Sequence, residues 1–335
     1  MAKDGSTAER IGIVWNPSKT SERELRSALE EALAESVFEA ERPHVSWFET
    51  TPEDPGHGAA RSAVAAGCGL VIAAGGDGTV RAVAEELGLG ERGSESGSGS
   101  GAASAELGIV PLGTGNLLAR NLGVPLGNPQ AAFARALESE AVAVDLGEAR
   151  VTRAGGEDET FGFVVMVGFG VDAQMIVETD DELKARSGWL AYVESLGRAI
   201  SGSDVVEFEL SVDGGEPRRE QSHTLLVANC GTLQAGITLL PDASPSDGVL
   251  DVLMLSADDV ASWLDTMRNM VWDNGLKRLI TRSERAESSD STAHLRAGSL
   301  RVELPEPREF EVDGEEVGEV TGFEVRVHEG ALRIR

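Results

Sequence analysis

Three short segments of this chain carry residue types suited to holding a polyphosphate. Gly75-Gly76-Asp77-Gly78-Thr79 lies between an apolar run, Leu70-Val71-Ile72-Ala73-Ala74, and a stretch of helical character at 80–87. Glycines at such a junction let backbone N–H groups approach a phosphate where the helix dipole favours negative charge. Asp77 would face those phosphates, which makes sense only with a cation between them, and Mg2+ is the ion that one or two carboxylates plus phosphates and waters hold. Taken alone, the segment fits equally a tight turn with an N-capping aspartate. Pro111-Leu112-Gly113-Thr114-Gly115-Asn116 is a second loop of small residues with a hydroxyl and an amide. Asn16-Pro17-Ser18-Lys19-Thr20 is a third, and Lys19 is one of only four lysines, with Lys3, Lys184 and Lys277. Two such loops on neighbouring strands can grip a triphosphate from two sides.

The elements around these loops are readable. Ile11–Trp15 is a buried run that stops at Asn16-Pro17, and Ser21 with Glu24 forms a capping box ahead of Leu25, Leu29 and Leu33 at helical spacing. Val45–Phe48 is a strand, 58–66 an alanine-rich helix, and Leu107–Pro111 resumes the strand pattern. Asn128-Pro129 supplies an N-cap and first-turn proline for a helix to about Ser139. Strands alternating with helices predict a parallel sheet in a three-layer α/β domain, with ligands at the carboxyl ends of the strands. Residues 1–10 read as a loose leader, 11–140 as the α/β domain, and 91–105 as a flexible Gly/Ser insertion. From 141 to 335 the pattern turns to strands, at Phe161–Val167, Val205–Val212, Thr224–Ala228, Val249–Leu255, Leu300–Leu304 and Phe323–Val327. Helices near 183–200 and 258–272 interrupt them. This half reads as a mostly β antiparallel sandwich.

Composition narrows the function. The chain has 335 residues, 41% of them hydrophobic, which allows about two domains with a sizeable core. With 29 basic against 57 acidic residues the net charge is −28, a field that repels polyanions and argues against nucleic acid as a partner. Cys68 and Cys230 sit in apolar runs without metal-ligand spacing, as small buried hydrophobes of a reducing compartment. The polar start and the lack of any long apolar run predict a cytoplasmic protein. The five histidines, His44, His57, His223, His294 and His328, show no ligand spacing.

Asn16-Pro17-Ser18, the GGDGT of 75–79 and PLGTGNLLARNLGVP at 111–125 resemble the nucleotide domain of the diacylglycerol kinase family, which includes sphingosine, ceramide and bacterial lipid kinases. The likeness continues through Val167–Ala173, Leu240-Pro241-Asp242-Ala243, Ser246–Asp251 and Val312-Asp313-Gly314-Glu315. It implies a Rossmann-like α/β domain of the NAD kinase and diacylglycerol kinase type, followed by the sandwich. The implied activity is ATP- and Mg2+-dependent phosphorylation of a lipid hydroxyl in phospholipid metabolism, with the protein peripheral at the inner face of a membrane. Glu315 matches the family's general base and Asp77 the carboxylate that reaches the catalytic Mg2+ through water. Asn16, Pro17, Ser18, Lys19, Thr20, Thr50, Gly75, Gly76, Asp77, Gly78, Thr79, Gly113, Thr114, Gly115 and Asn116 fall on nucleotide-binding positions. A separate structural Mg2+ would fall on Asp247 and the carbonyls of Ser244 and Val249.

The chain departs from that pattern at three places. Leu117 stands where many members have a second acid, Arg81-Ala82 replaces the usual Asn-Glu, and the PDA segment lacks its preceding glycine pair. An NAD kinase with the same loop, and a nucleotide-binding regulator without turnover, are the alternatives. Trp189, Leu190, Tyr192, Val193, Leu196 and Ile200 have helical spacing that fits core packing or lipid contact. Met267–Arg282 mixes apolar residues with Arg268, Lys277, Arg278 and Arg282, as a core helix or a bilayer-facing patch does. Lys19, Arg81 and Arg120 are the cations expected near the phosphates. Monomer and homodimer both remain open.

Overall fold

The computed structural model describes residues 10–35, 42–90, 105–170, 205–233, 239–255 and 293–335. The expected helices near 183–200 and 258–272, the Met267–Arg282 patch, and the segment 91–104 lie outside the described residues, as do residues 1–9. Arg10, placed in the leader by sequence, is instead the first residue of a strand.

The first half alternates as expected. Strand β1 (Arg10–Trp15) leads to α1 (Glu22–Glu35), β2 (His44–Glu49) to α2 (His57–Ala65), and β3 (Leu70–Gly75) to α3 (Asp77–Leu89). Strand β4 (Glu106–Pro111), the short α4 (Leu117–Asn121) and α5 (Pro129–Glu138) complete it. All strand pairs here are parallel, in the order β2-β1-β3-β4. Every residue of β3 is buried, because a central parallel strand is covered on both faces. The local signals operate as read. Glu24 N–H donates to Ser21 Oγ at 3.3 Å while Ser21 N–H donates to Glu24 Oε2 at 3.1 Å, and Asn128 Oδ1 accepts from Ala131 N–H at 3.1 Å.

The second half is antiparallel. Strands β5 (Val142–Thr152), β6 (Asp158–Phe163), β7 (Met166–Phe169), β8 (Val206–Val212), β9 (Arg218–Ser222), β10 (Thr224–Ala228), β11 (Leu250–Leu255), β12 (Ala293–Ala297), β13 (Ser299–Val312) and β14 (Glu315–Ile334) enclose a second core. Phe169 meets Phe208 edge-on with ring centres 5.8 Å apart, and Phe310 packs on Phe323 at 4.7 Å. Strand β13 pairs along one edge with β14, with register shifts, and on its other edge serves two neighbours: its first residues pair with β8 and its last with β7. That lets one strand turn the corner of the sandwich.

The run Phe161–Val167, expected as one strand, is broken. Strand β6 ends at Phe163 and β7 begins at Met166, because the amides of Val164 and Val165 donate to a carboxylate, that of Asp313, rather than to a neighbouring strand. The expected strands at 300–304 and 323–327 are parts of the much longer β13 and β14. Strand β9 has no apolar alternation, reading RREQS, and pairs with β8 alone.

The two halves share a sheet. Strand β14 runs antiparallel to β5, shifts register between His328 and Leu332, and ends with Ile334 paired in parallel to Leu107 of β4. Arg335 N–H donates to Leu107 O at 3.0 Å. Leu146 of β5 and Leu332 of β14 pack where α3 has Gly88: a Cβ there would lie 2.5 Å from one and 3.3 Å from the other. Leu332 is 1% exposed, so Leu332→Ala should lower the unfolding free energy by about 2–5 kcal/mol. Urea unfolding measures this, and a loss well under about 1 kcal/mol would show that the joint is not part of the cooperative core.

Candidate functional site

Four strand ends and one hairpin meet at the carboxyl edge of the parallel sheet. At the end of β1, Asn16 Oδ1 accepts from Ser18 N–H at 2.9 Å and from Ser18 Oγ at 2.7 Å, and Lys19 N–H donates to Asn16 O at 3.1 Å. This turn, with Pro17 exposed at its tip, brings the Lys19 side chain to Gly76, whose hypothetical Cβ would lie 3.8 Å from Lys19 Cε. Thr20 points its hydroxyl away, donating to Glu24 Oε2 at 3.0 Å. Thr50, at the end of β2, is buried, and its N–H donates to Trp15 O at 2.9 Å.

The loops after β3 and β4 touch backbone to backbone. Gly75 has to lack a side chain because a Cβ would lie 2.6 Å from that of Thr79, itself buried in the first turn of α3. A Cβ on Gly113 would lie 2.8 Å from Gly76 Cα, and one on Gly115 would lie 2.7 Å from Asp77 Oδ2. Asn116, left-handed at φ 49°, closes its own loop by accepting from Gly113 N–H at 2.9 Å and donating to Gly113 O at 2.7 Å. Arg120 Nε donates to Gly115 O at 2.7 Å, so this cation braces the loop. Thr114 stands exposed at the apex. Gly76, the N-cap of α3, has no side chain to bond the first-turn amides, so apart from that of Asp77, which meets its own carboxylate, they keep their capacity for an anion.

Asp77 reaches across this floor. Its Oδ2 accepts from Asn116 N–H at 2.7 Å and its Oδ1 from Leu117 N–H at 2.5 Å. Burial pushes its carboxyl above the ordinary range and the charge of Glu315 adds to that, against the Leu117, Asn116 and Asp77 amides. Each oxygen keeps a lone pair. That donor set suits an Mg2+ whose shell is mostly phosphate oxygens and waters.

Glu315 arrives from the other half of the chain. Asp313 at φ 51° and Gly314 at φ 82° form a two-residue turn between β13 and β14, as an Asp-Gly pair does. The turn is pinned by Asp313, which is 4% exposed and accepts from the amides of Val164 at 2.9 Å, Val165 at 2.8 Å and Met166 at 3.0 Å. Glu315 Oε1 is then seated on α3, 2.5 Å from where a Cβ of Gly78 would be, while Oε2 is ion-paired to Arg81. Arg81 is largely buried and is close enough to Asp313 to favour its charged form. The sequence points to Arg81 as a cation near the phosphates and to Asp313 only as part of the 312–315 segment, not as the anchor it is. The Asp-Gly hairpin signal was the available clue to the turn, though not to what the carboxylate would hold.

The second expected metal position lies apart from this site. Asp247 is ion-paired to Arg296 of β12, Val249 donates its N–H to Asp247 Oδ1 at 3.4 Å, and Ser244 Oγ lies 3.4 Å from Ser246 Oγ. No group of three His, Cys, Asp or Glu side chains among the described residues is arranged to hold a metal.

Asp313 generates a pH test. Burial pushes its carboxyl up to about 6, against the three amides and Arg81. The folded state then holds this proton more tightly than the unfolded chain does, so the stability the proton brings is complete below the unfolded value of 3.8 and is lost as pH rises through about 6. The stability advantage of the wild type over Asp313→Asn should be larger at pH 4 than at pH 7, as read from urea midpoints at both. An advantage that grows with pH would mean that the three amides outweigh burial.

Comparisons with known proteins follow the same outline. The family model of the diacylglycerol kinase catalytic domain matches residues 10–149, and that of the YegS C-terminal NAD kinase beta sandwich-like domain matches residues 165–335. A Pseudomonas aeruginosa protein named "Probable lipid kinase YegS-like" is 32% identical over 273 residues, which is 81% of this chain and 78% of that protein. A Bacillus subtilis diacylglycerol kinase is 26% identical over 324 residues, covering 96% and 94%. Among solved structures, a diacylglycerol kinase from Bacillus anthracis superposes with a TM-score of 0.63 at 19% identity, over 98% of this chain and 97% of that one, a likeness of fold.

Proposed function

The chain belongs to the diacylglycerol kinase catalytic-domain family, with the sandwich domain of its YegS-like lipid kinases, and from that premise we propose that it transfers the γ-phosphoryl group of ATP to the hydroxyl of a diacylglycerol-like or sphingoid lipid. The observation that carries the reading is the seat of Glu315 on Gly78, beside Asp77 and above the uncapped first turn of α3. A carboxylate from one half of the chain thus faces the phosphate-binding floor of the other.

In this reading the amides of Gly76 to Thr79 and the Lys19 ammonium bind the nucleotide phosphates, with Asn16 to Thr20, Thr50 and the 113–116 loop shaping the rest of the pocket. Mg2+ carried with the nucleotide supplies positive charge against the phosphates, and Asp77 is the residue that would hold it through water. Leu117 offers no second acid, so that role falls to Asp77 alone. Arg81 occupies Oε2 of Glu315 and turns Oε1 toward the floor. The lipid hydroxyl gives its proton to Oε1 and its oxygen bonds to the γ-phosphorus. The bond from that phosphorus to the β,γ-bridging oxygen breaks, and ADP leaves with the electron pair. Glu315 is half exposed, so an acceptor can reach it from outside the cleft. The lipid would be taken from a membrane surface, where such lipids reside.

The test is label transfer from ATP in the presence of Mg2+ into a total lipid extract, with NAD offered in parallel. A labelled lipid phosphate is expected, and Glu315→Gln should lower its formation by about 10²–10⁴-fold with ATP affinity nearly unchanged. Transfer that is indifferent to Glu315→Gln, label in NAD alone, or Mg-ATP binding with no acceptor would each sink the proposal. Gly78→Ala should displace only the end of the Glu315 side chain. It is therefore expected to lower kcat more than it alters the KM for ATP, while the melting temperature holds; an unchanged kcat would contradict the seat described above.

A further inference from the structure

We infer that Arg296 is a built-in cation for the 244–249 loop, so that this part of the sandwich needs no divalent metal. The Mg2+ expected on Asp247 and the carbonyls of Ser244 and Val249 does not fit the residues present, because the carboxylate it would require already has a cation, the Arg296 guanidinium. Asp247 Oδ2 is ion-paired to the Arg296 guanidinium, and Oδ1 accepts from Val249 N–H at 3.4 Å. A divalent ion at Asp247 would meet a fixed positive charge.

Arg296 is held where this role requires it. It lies directly across from Asp251 in the pairing of β11 with β12. Asp251 is 1% exposed; its Oδ1 is 2.8 Å from His294 Nε2 and 3.6 Å from Arg296 Nε, while its Oδ2 has no hydrogen-bond partner among the described residues. A buried carboxylate so placed depends on the charge beside it. The Nε side of the guanidinium therefore faces Asp251 while a terminal nitrogen reaches Asp247, a division of one charge between two acids that the planar fork of arginine allows.

The backbone of the loop is tied by a second protein group. Asp145, 1% exposed, accepts from Gly248 N–H at 2.8 Å with Oδ2 and from Gly330 N–H at 2.7 Å with Oδ1, and its own N–H donates to Pro245 O at 2.7 Å. Loop shape and loop charge are thus supplied by Asp145 and Arg296 respectively.

The experiment compares melting temperatures of the full chain in EDTA and in Mg2+, without nucleotide. The wild type should melt at the same temperature in both. Arg296→Met, which keeps the apolar stem and removes the charge, should melt several degrees lower in EDTA and recover in Mg2+ or Mn2+; if it is recovered unfolded from EDTA, refolding on addition of Mg2+ is the equivalent result. That recovery should vanish in Arg296→Met with Asp247→Asn, and Arg296→Lys should stay indifferent to metal. The inference is overturned by a wild-type melting temperature that rises with Mg2+ and loses that rise in Asp247→Asn, by an Arg296→Met protein that melts like the wild type, or by one that no divalent ion restores.

Discussion

The placement of the site depends on one buried carboxylate. Asp313 gathers three consecutive amides, those of Val164, Val165 and Met166, into a socket that the β13–β14 turn occupies. Burying a charge is costly, and three N–H donors with an arginine nearby are what offset that cost. The same contact ends β6 and starts β7, so it shapes the sheet as well as the turn. Glu315, two residues on, inherits its position from that anchor and its orientation from Arg81. The glycine at 78 then matters less for conformation than for vacancy, since any side chain there would stand in the place of the Glu315 carboxylate.

Local chemistry made the α/β half legible. Capping residues at Ser21, Glu24 and Asn128, and buried runs at 11–15, 70–74 and 107–111, are decided by neighbours in sequence, and the elements appear where those signals lie. The glycine-rich loops were readable for the same reason. What stayed hidden was decided by partners far along the chain. Nothing in Phe161–Val167 reveals that its middle amides are claimed by Asp313, almost 150 positions away. The polar β9 is a strand because β8 offers it an edge, not because its own residues prefer one. Resemblance brought Glu315 to notice, but its seat on Gly78 and its pairing with Arg81 are facts of packing between halves. Arg296 is the converse case: a family pattern points to a metal on Asp247, and a residue outside the pattern is ion-paired to that carboxylate.

The charge balance of −28 takes on a different look at this resolution. Several of the scarce cations in and around the site have specific partners. Lys19 is left near the phosphate floor, Arg81 is spent on Glu315, Arg120 on a carbonyl of the 113–116 loop, and Arg296 on two acids of the sandwich. In the proposed site, backbone amides would therefore carry much of the attraction for an anion, and they would do so without altering the net charge of a strongly acidic molecule.

Strand β14 has a mechanical consequence. It starts at the hairpin that carries Glu315 and ends, 20 residues later, hydrogen-bonded into the sheet whose loops bear the proposed nucleotide site. The two sides of the cleft are thereby joined by a strut rather than by a slack tether. Opening the cleft cannot simply swing one half away from the other, because the strut would have to bend. Its register against β5 shifts between His328 and Leu332, where Gly330 adopts φ 56° and its amide is held by Asp145. Any change in the distance between the two sides would have to be taken up along β14 itself, so the span between Glu315 and the phosphate-side loops is set by the geometry of one continuous strand.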